Sequence, residues 1–242
     1  MFNGKKISVV FPAYNEEENI SNAILDFFST GVVDEIVVVD NNSRDRTAER
    51  VLNTKARLVK EMRQGYGYAL QRGLSEATGD FIIMAEPDGT FMGKDILKLL
   101  AYSEDFEIVL GTRTAKELIW HGANMNFSLR FGNIAVAKLL EFIYSGPCLT
   151  DCGCTLRLLH RQAYNLIKDE LSVGKSHFLP EIVIRALQKK IPIIEIPVNY
   201  RSRVGTSKIT GKFKGAFITA INMIKIILLY KFIKKGKKEG RY

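Results

Sequence analysis

Short β-branched runs that alternate with amphipathic stretches fill the first third of the chain and constrain its fold most strongly. Each run ends in polar residues, as buried parallel strands do where they leave the core. The stretch after the first run places Ile20, Ile24 and Phe27 on one helical face. Strands separated by helices predict an α/β fold with a parallel sheet and right-handed crossovers. The predicted strands are 7–11, 35–40, 57–60 and 81–85, and the predicted helices are 16–30, a second helix with Ser43 as its N-cap, and 67–78.

The pattern is looser in the rest of the chain. A long, largely apolar region at 118–145 is predicted to be helical, and the two prolines of 191–200 are typical of an edge strand. A loop rich in Gly, Lys, Ser and Thr at 205–214 is expected to separate a globular domain, 1–211, from a C-terminal helix and basic tail, 212–242. The remaining predicted elements are helices 95–103 and 178–189 and a strand at 108–111.

Acidic side chains follow three of the predicted strands. Glu16 lies just beyond the first strand, Asp40 ends the second, and Glu86 and Asp88 follow the fourth. Ligands of open α/β sheets bind beyond the carboxyl ends of the strands, so these acids are expected to meet there. Each acid alone is as well explained by a helix cap or a turn. Together they repel one another unless a cation or a donor-rich ligand holds them.

The Glu86-Pro-Asp88 turn is the sharpest of these signals. Two carboxylates one residue apart can point at one divalent ion, and Mg²⁺ or Mn²⁺ held this way completes its coordination with phosphate oxygens. The sequence therefore favours a metal-bound nucleotide diphosphate. A nicotinamide-dependent dehydrogenase is disfavoured, because no G-x-G-x-x-G follows the first strand.

Seven segments follow one another between about residue 7 and residue 211: PAYNEEENI, VVVDNNSRDRT, RQGYGYALQRG, GDFIIMAEPDGTF, GTRT, DCGCTLRLLHR and NYRSRVGTSKITG. This ordered set resembles glycosyltransferase family 2. The nearest likeness within it is the dolichyl- or polyprenyl-phosphate mannosyl- and glucosyltransferases. The resemblance implies a GT-A fold, a Rossmann-like and mostly parallel sheet flanked by helices. It also implies inverting transfer of a hexose from a UDP- or GDP-linked sugar to a lipid phosphate.

The resemblance also implies roles for individual residues. Glu86 and Asp88 match the family's D-x-D metal motif, with Glu in place of the first Asp. Asn41 replaces the second acid of the D-D-x-S turn, and Thr90 stands where the lipid-phosphate branch often has Gln. The residues expected to bind the nucleotide sugar are Pro12, Tyr14, Glu16, Asp40, Arg63, Gly65, Glu86 and Asp88.

Basic residues in two later segments are expected to hold phosphate groups. By the same resemblance these are Arg113, Arg203, Ser207 and Lys208, and the expected catalytic residues are Asp88, Arg113 and Asp151. An acceptor phosphate is already an anion near neutral pH and needs no strong base. A sugar or protein hydroxyl acceptor needs one, and Asp151 is the candidate for that role. The sequence is compatible with either acceptor.

The positive charge of the chain is concentrated at its C-terminal end. Of a formal net charge of +9, residues 201–242 carry +11 and the other 200 residues −2. The apolar run 216–230 is shorter than a membrane span and contains Lys225, so we expect a helix lying on an anionic membrane surface. Packing on the body or on a second subunit of a homo-oligomer is the alternative. The basic segment adjoins an apolar helix, so nucleic acid is not an expected partner.

Three cysteines fall within seven residues, at 148, 152 and 154. An odd number of cysteines without a secretory signal favours a reducing compartment, so a peripheral protein on the cytoplasmic face of the membrane is expected. Zinc sites prefer two well-separated ligand pairs, so buried structural thiols are expected here.

Overall fold

A seven-stranded sheet forms the centre of the molecule, in a computed structural model that describes residues 1–204 and 213–232. The strand order is β3-β2-β1-β4-β6-β5-β7, and only β6 runs antiparallel to its neighbours. The predicted α/β fold with a mostly parallel sheet is confirmed. The strands are β1 Ile7–Ala13, β2 Glu35–Asp40, β3 Arg57–Lys60, β4 Phe81–Met84, β5 Ile108–Thr112, β6 Arg157–His160 and β7 Ile193–Pro197.

Helices cover both faces of the sheet and bury two apolar layers. One layer lies beneath α3, α5, α6, α7 and α8, and the other beneath α1 and α4. The helices are α1 Ile20–Phe28, α2 Thr47–Leu52, α3 Tyr66–Glu76, α4 Ile96–Ala101, α5 Phe127–Tyr144, α6 Arg161–Ile167, α7 Phe178–Gln188 and α8 Phe213–Phe232.

Strand β6 and helix α6 were not predicted from the sequence. β6 has four residues, and it begins with Arg157, a residue type that is rarely buried. The Arg157 side chain is nevertheless fully buried, where it donates hydrogen bonds to the carbonyl oxygens of Cys154 (3.1 Å) and Leu179 (2.9 Å). Its charge is compensated by backbone dipoles rather than by an acid, which no periodicity in the sequence reveals.

Several predicted helix boundaries are wrong. Ser43 does not cap α2, which begins at Thr47; its hydroxyl accepts a hydrogen bond from the Asn15 backbone N–H (3.0 Å). In the 118–145 region only α5 is an α-helix, and the Asn126 side chain caps it by accepting from the Leu129 N–H (2.9 Å). The Ser43 hydroxyl thus joins the turn after β2 to the turn after β1 instead of capping a helix.

The C-terminal helix packs against the body of the protein. Ile226 and Ile227 of α8 are buried in the core layer shared with α5 and α7. The Tyr144 hydroxyl on α5 donates to the Ile227 carbonyl oxygen (2.9 Å). Packing on the body, the alternative in the sequence prediction, is therefore observed. None of the described helices is both long enough and apolar enough to cross a membrane, and the predicted domain boundary at residue 211 lies outside the described residues.

Candidate functional site

The predicted acidic strand ends meet at one edge of the sheet. β2, β1 and β4 are parallel neighbours, and Ala13 of β1 is in register with Asp40 of β2. A cavity of about 520 Å³ opens at this edge. The predicted site residues that line it are Pro12, Tyr14, Glu16, Glu86, Asp88, Arg113 and Arg203.

Asp88 presents one oxygen to the cavity. Its Oδ1 accepts hydrogen bonds from the backbone N–H (3.0 Å) and the hydroxyl (2.5 Å) of Thr90, and Gly89 permits this turn with φ = +82°. Its Oδ2 is buried and accepts no hydrogen bond from the described residues. Arg203 Nη1 lies 3.1 Å from Oδ2 as an ion pair, and Arg203 Nη2 lies 3.0 Å from Glu16 Oε1. Thr90 thus fixes one oxygen of the Asp88 carboxylate, and the other oxygen is ion-paired with Arg203.

Glu86 is held beside Asp88 by two hydroxyl groups. Glu86 Oε1 accepts from Tyr66 Oη (2.8 Å) and from Thr155 Oγ1 (2.8 Å). Removal of its carboxyl from water, together with the charge of Asp88, raises the pKa of Glu86 from 4.5 to about 7. Neither Tyr66 nor Thr155 was predicted to have a role in the site, although both lie within the recognised segments.

The donor atoms at this turn suit a hard divalent cation. Mg²⁺ and Mn²⁺ take oxygen ligands, and Mg²⁺ sites commonly use one or two carboxylates with phosphate and water supplying the rest. Asp88 Oδ2 is buried and accepts no hydrogen bond from the described residues, although it is ion-paired with Arg203, and the Glu86 carboxylate lies beside it. Within 1–204 and 213–232, no set of three His, Cys, Asp or Glu side chains gathers as metal ligands. The residues present fit a cation shared with a bound phosphate.

Asp40, Arg63 and Gly65 lie near the cavity but not on its wall. Asp40 Oδ1 accepts from the Ser43 N–H (3.1 Å), and Arg63 pairs with Glu61 (3.0 Å). Asn41 and Gln64 line the cavity in their place. The Asn41 amide donates to the Glu61 and Arg63 carbonyls (2.9 and 2.8 Å) and accepts from the Gly65 N–H (2.8 Å), so it fastens the 61–65 loop to the end of β2.

Asp151 is tied to Arg113 instead of facing the cavity. The aspartate is fully buried, and its Oδ2 and Oδ1 accept from Arg113 Nε (2.7 Å) and Nη2 (2.9 Å). The Arg113 and Gly153 backbone N–H groups also donate to it (3.2 Å each). The neighbouring carboxylate of Asp151 holds the pKa of Arg113 well above its usual range despite the opposing effect of burial. The geometry makes this carboxylate a support for Arg113.

The other end of the cavity is apolar and lies between α5 and α8. Met125, Leu129 and Val136 on or beside α5 face Ala220 and Met223 of α8 across it. We call this the apolar groove. The sequence analysis predicted helices in 118–145 and in the C-terminal segment but did not predict a cavity between them. Ser207 and Lys208 lie outside the described residues.

The cysteines form no common site. Cys152 and Cys154 are buried, and burial raises the pKa of each thiol to about 12. The expectation of buried structural thiols is confirmed for these two and is wrong for Cys148, which is exposed.

A mostly parallel sheet with paired acids at the end of its fourth strand is the architecture of a GT-A glycosyltransferase. In agreement, glucosyl-3-phosphoglycerate synthase of Mycobacterium tuberculosis, crystallised with Mn²⁺, uridine diphosphate and phosphoglyceric acid, superposes with a TM-score of 0.75. The two chains are 20% identical, and the match covers 96% of this chain and 81% of that one. This likeness establishes the GT-A fold.

Sequence relatives define the family. Residues 8–166 match the model of glycosyl transferase family 2. A dolichyl-phosphate hexose transferase of Haloferax volcanii is 30% identical over 92% of this chain and 94% of its own length. A dolichyl-phosphate beta-glucosyltransferase of Trichomonas vaginalis is 26% identical over 93% of this chain and 74% of its own length. The chain belongs to glycosyl transferase family 2 and is a glycosyltransferase.

Proposed function

We propose that this enzyme transfers a hexose from a UDP- or GDP-linked sugar to a polyprenyl (dolichyl) phosphate, with inversion at the anomeric carbon. The observation that carries the proposal is the continuity of one cavity. Its polar end holds Glu86 and Asp88, and its other end is the apolar groove between α5 and α8. A nucleotide sugar suits the first and an isoprenoid chain the second. Two relatives whose names specify dolichyl phosphate support this acceptor.

In this proposal the polar end binds the donor. Pro12, Tyr14 and Glu16 take the nucleoside, while Asp40, Arg63 and Gly65 support the loops around it. Glu86 and Asp88 would hold Mg²⁺ or Mn²⁺ against the diphosphate. When bound, that cation would neutralise the charge that develops on the departing nucleoside diphosphate.

The basic residues act where the two ends of the cavity meet. Asp151 holds Arg113 in place, and Arg203 is paired with Glu16 and Asp88. Arginine suits phosphate recognition because its planar guanidinium can bond two oxygens at once. We assign Arg113, Arg203, Ser207 and Lys208 to the diphosphate and the acceptor phosphate.

The acceptor phosphate attacks without a general base in this proposal. Its oxygen is already an anion near neutral pH, and direct displacement of the nucleoside diphosphate inverts the anomeric centre. The Asp151 carboxylate is occupied on both oxygens by Arg113, which argues against its acting as a base for a hydroxyl acceptor.

A peripheral position on the cytoplasmic face of an anionic membrane would bring the enzyme to a lipid acceptor. Large apolar side chains on the outer sides of α5 and α8 are exposed, among them Phe131 and Phe142 on α5 and Leu229 and Phe232 on α8. The exposed side chains of Lys225 and Lys231 add positive charge to α8. Together they suit the interface of a bilayer with anionic headgroups.

Transfer assays with matched acceptors test the proposal. Purified enzyme is incubated with Mn²⁺ or Mg²⁺, a panel of labelled UDP- and GDP-sugars, and either a short polyprenyl phosphate or the corresponding polyprenol. We expect a labelled lipid product from the phosphate alone, and loss of that product in Asp88→Asn. Product from the polyprenol or from soluble hydroxyl acceptors, with none from the phosphate, would contradict the acceptor assignment.

A further inference from the structure

Helices α8 and α3 contact one short segment, residues 171–175, from opposite sides. We call it the bridging segment. On the α8 side it is anchored by Glu181 of α7, a fully buried carboxylate. Glu181 accepts from the backbone N–H groups of Ser172 (3.1 Å) and Val173 (3.0 Å), and from Tyr230 Oη of α8 (2.7 Å). The end of α8 and the bridging segment therefore share one acid.

Tyr230 is fixed at this position by further contacts. Its ring lies 4.1 Å from the Arg185 guanidinium, and its carbonyl oxygen accepts from Gln188 Nε2 (3.1 Å). A hydrogen bond to a buried carboxylate is among the stronger ones in a protein. A shift of α8 would consequently move or release the Glu181 carboxylate.

The opposite side of the bridging segment interlocks with the start of α3. The Gly174 carbonyl accepts from the Gly67 N–H (3.0 Å), and the Val173 carbonyl accepts from Gln71 Nε2 (2.9 Å). A Cβ added at Gly67 would lie 2.2 Å from the Val173 oxygen. The backbones touch with no intervening side chain, so displacement of the segment has to displace the start of α3.

The start of α3 forms part of the polar end of the cavity. Tyr66 lines the cavity and donates to Glu86 Oε1 (2.8 Å), and Gly65 donates to Asn41 (2.8 Å). The same helix α8 lines the apolar groove with Ala220 and Met223. Direct contacts thus run from a wall of the groove to the acids at the other end of the cavity.

We propose that Tyr230 and Glu181 are positioning residues that couple the seating of α8 to donor binding. The inference rests on the proposed function, because it takes the polar end as the donor site. A ligand that seats α8 against α5 and α7 strengthens donor binding, and a bound donor strengthens the seating of α8 by the same factor.

Tyr230→Phe tests the coupling, with Tyr144→Phe as its matched control. Each change removes one tyrosine hydroxyl at the α8 contact, but only Tyr230 reaches Glu181. Calorimetric titration with UDP and with GDP, each in the presence of Mn²⁺, measures affinity, and thermal unfolding measures stability. We expect Tyr230→Phe to weaken nucleotide binding at least about fivefold, the lower end of usual coupling. Tyr144→Phe should stay within about twofold of wild type at a similar melting temperature.

Kinetics and a double variant separate coupling from general damage. Tyr230→Phe should raise the donor KM and leave kcat at saturating donor unchanged. Once Gln71→Ala has loosened the other side of the segment, adding Tyr230→Phe should weaken nucleotide binding by less than it does alone. Equal effects of the two tyrosine variants on nucleotide affinity, or additive effects in the double variant, would overturn the coupling but leave the proposed function standing. A wild-type enzyme that binds neither nucleotide would overturn the proposed function as well.

Discussion

The Asp151→Asn substitution should destabilise the enzyme strongly, because it leaves the positive charge of Arg113 in a largely buried position without its partner. The Asp151 side chain is fully buried and that of Arg113 is 16% exposed, with the two joined by paired hydrogen bonds of 2.7 and 2.9 Å. Removing one partner of a buried ion pair costs about 3–5 kcal/mol. For a chain of this length each kcal/mol lowers the melting temperature by roughly 2–4 °C, so a fall of roughly 6–20 °C is expected.

Chemical and thermal unfolding of wild type and Asp151→Asn measure this effect. The matched control is the double variant Arg113→Met with Asp151→Leu, which removes both charges and should recover most of the stability, since apolar replacement of a buried pair is often neutral. A loss below about 1 kcal/mol in the single variant would refute the reasoning, because such a value belongs to a solvent-exposed pair.

Kinetics of the same variant separate support of Arg113 from general-base catalysis. A misplaced Arg113 should raise the acceptor KM about tenfold or more, the equivalent of one lost charge-assisted hydrogen bond. The pH dependence of kcat should keep its shape. A different result would identify Asp151 as a base and favour a hydroxyl acceptor: an unchanged acceptor KM, a large loss of kcat, and loss of the acidic limb from the pH profile of the residual kcat.

Three further predictions concern other parts of the site. Burial and the charge of Asp88 raise the pKa of Glu86 from 4.5 to about 7, so between these pH values the folded chain keeps a proton that the unfolded chain has lost. Glu86 should therefore lower the stability by roughly 3 kcal/mol as the pH rises from 4.5 to 8, and Glu86→Gln should remove this contribution from the pH dependence measured by urea titration. Gly67→Ala places a methyl group against the Val173 carbonyl oxygen and should lower the free energy of unfolding by about 1–3 kcal/mol. Gly132→Ala in α5 meets nothing within 4 Å and should raise that free energy by about 0.5–1 kcal/mol. Denaturation curves measure both changes. Arg203→Gln removes the cation paired with Asp88, so this variant should bind Mn²⁺ alone roughly threefold to tenfold more tightly than wild type. It should bind a nucleoside diphosphate with Mn²⁺ more weakly. If calorimetric titrations show both affinities changing in the same direction, Arg203 does not bind phosphate as assigned.

The first four strands and the acidic edge could be predicted because their signals are local. Three of them, β1, β2 and β4, are built on a run of apolar residues that ends where the chain turns polar. The parallel order of β1 and β4 brings Glu16 and Asp88 together. Strand β6 could not be predicted, because its buried Arg157 is satisfied by the carbonyl groups of Cys154, which lies three residues earlier, and of Leu179 in α7.

The finer geometry of the site depends on partners that are remote in sequence. Asp151 carries no local sign that Arg113 will occupy both its oxygens. Asn41 looks like a lost acid in the family pattern, but it fastens the 61–65 loop. The apolar groove needs α5 and α8, which lie far apart in the chain, and neither helix alone indicates a cavity.

Titration of a nucleoside diphosphate into wild type and Asp88→Asn, with and without Mn²⁺, tests the central claim most directly. The central claim is that Glu86 and Asp88, which both follow β4, hold one divalent cation against a diphosphate. Wild type should bind UDP or GDP tightly only with Mn²⁺, and Asp88→Asn should lose that metal-dependent gain. Equal affinity with and without Mn²⁺, or an Asp88→Asn variant that binds as wild type does, would contradict it.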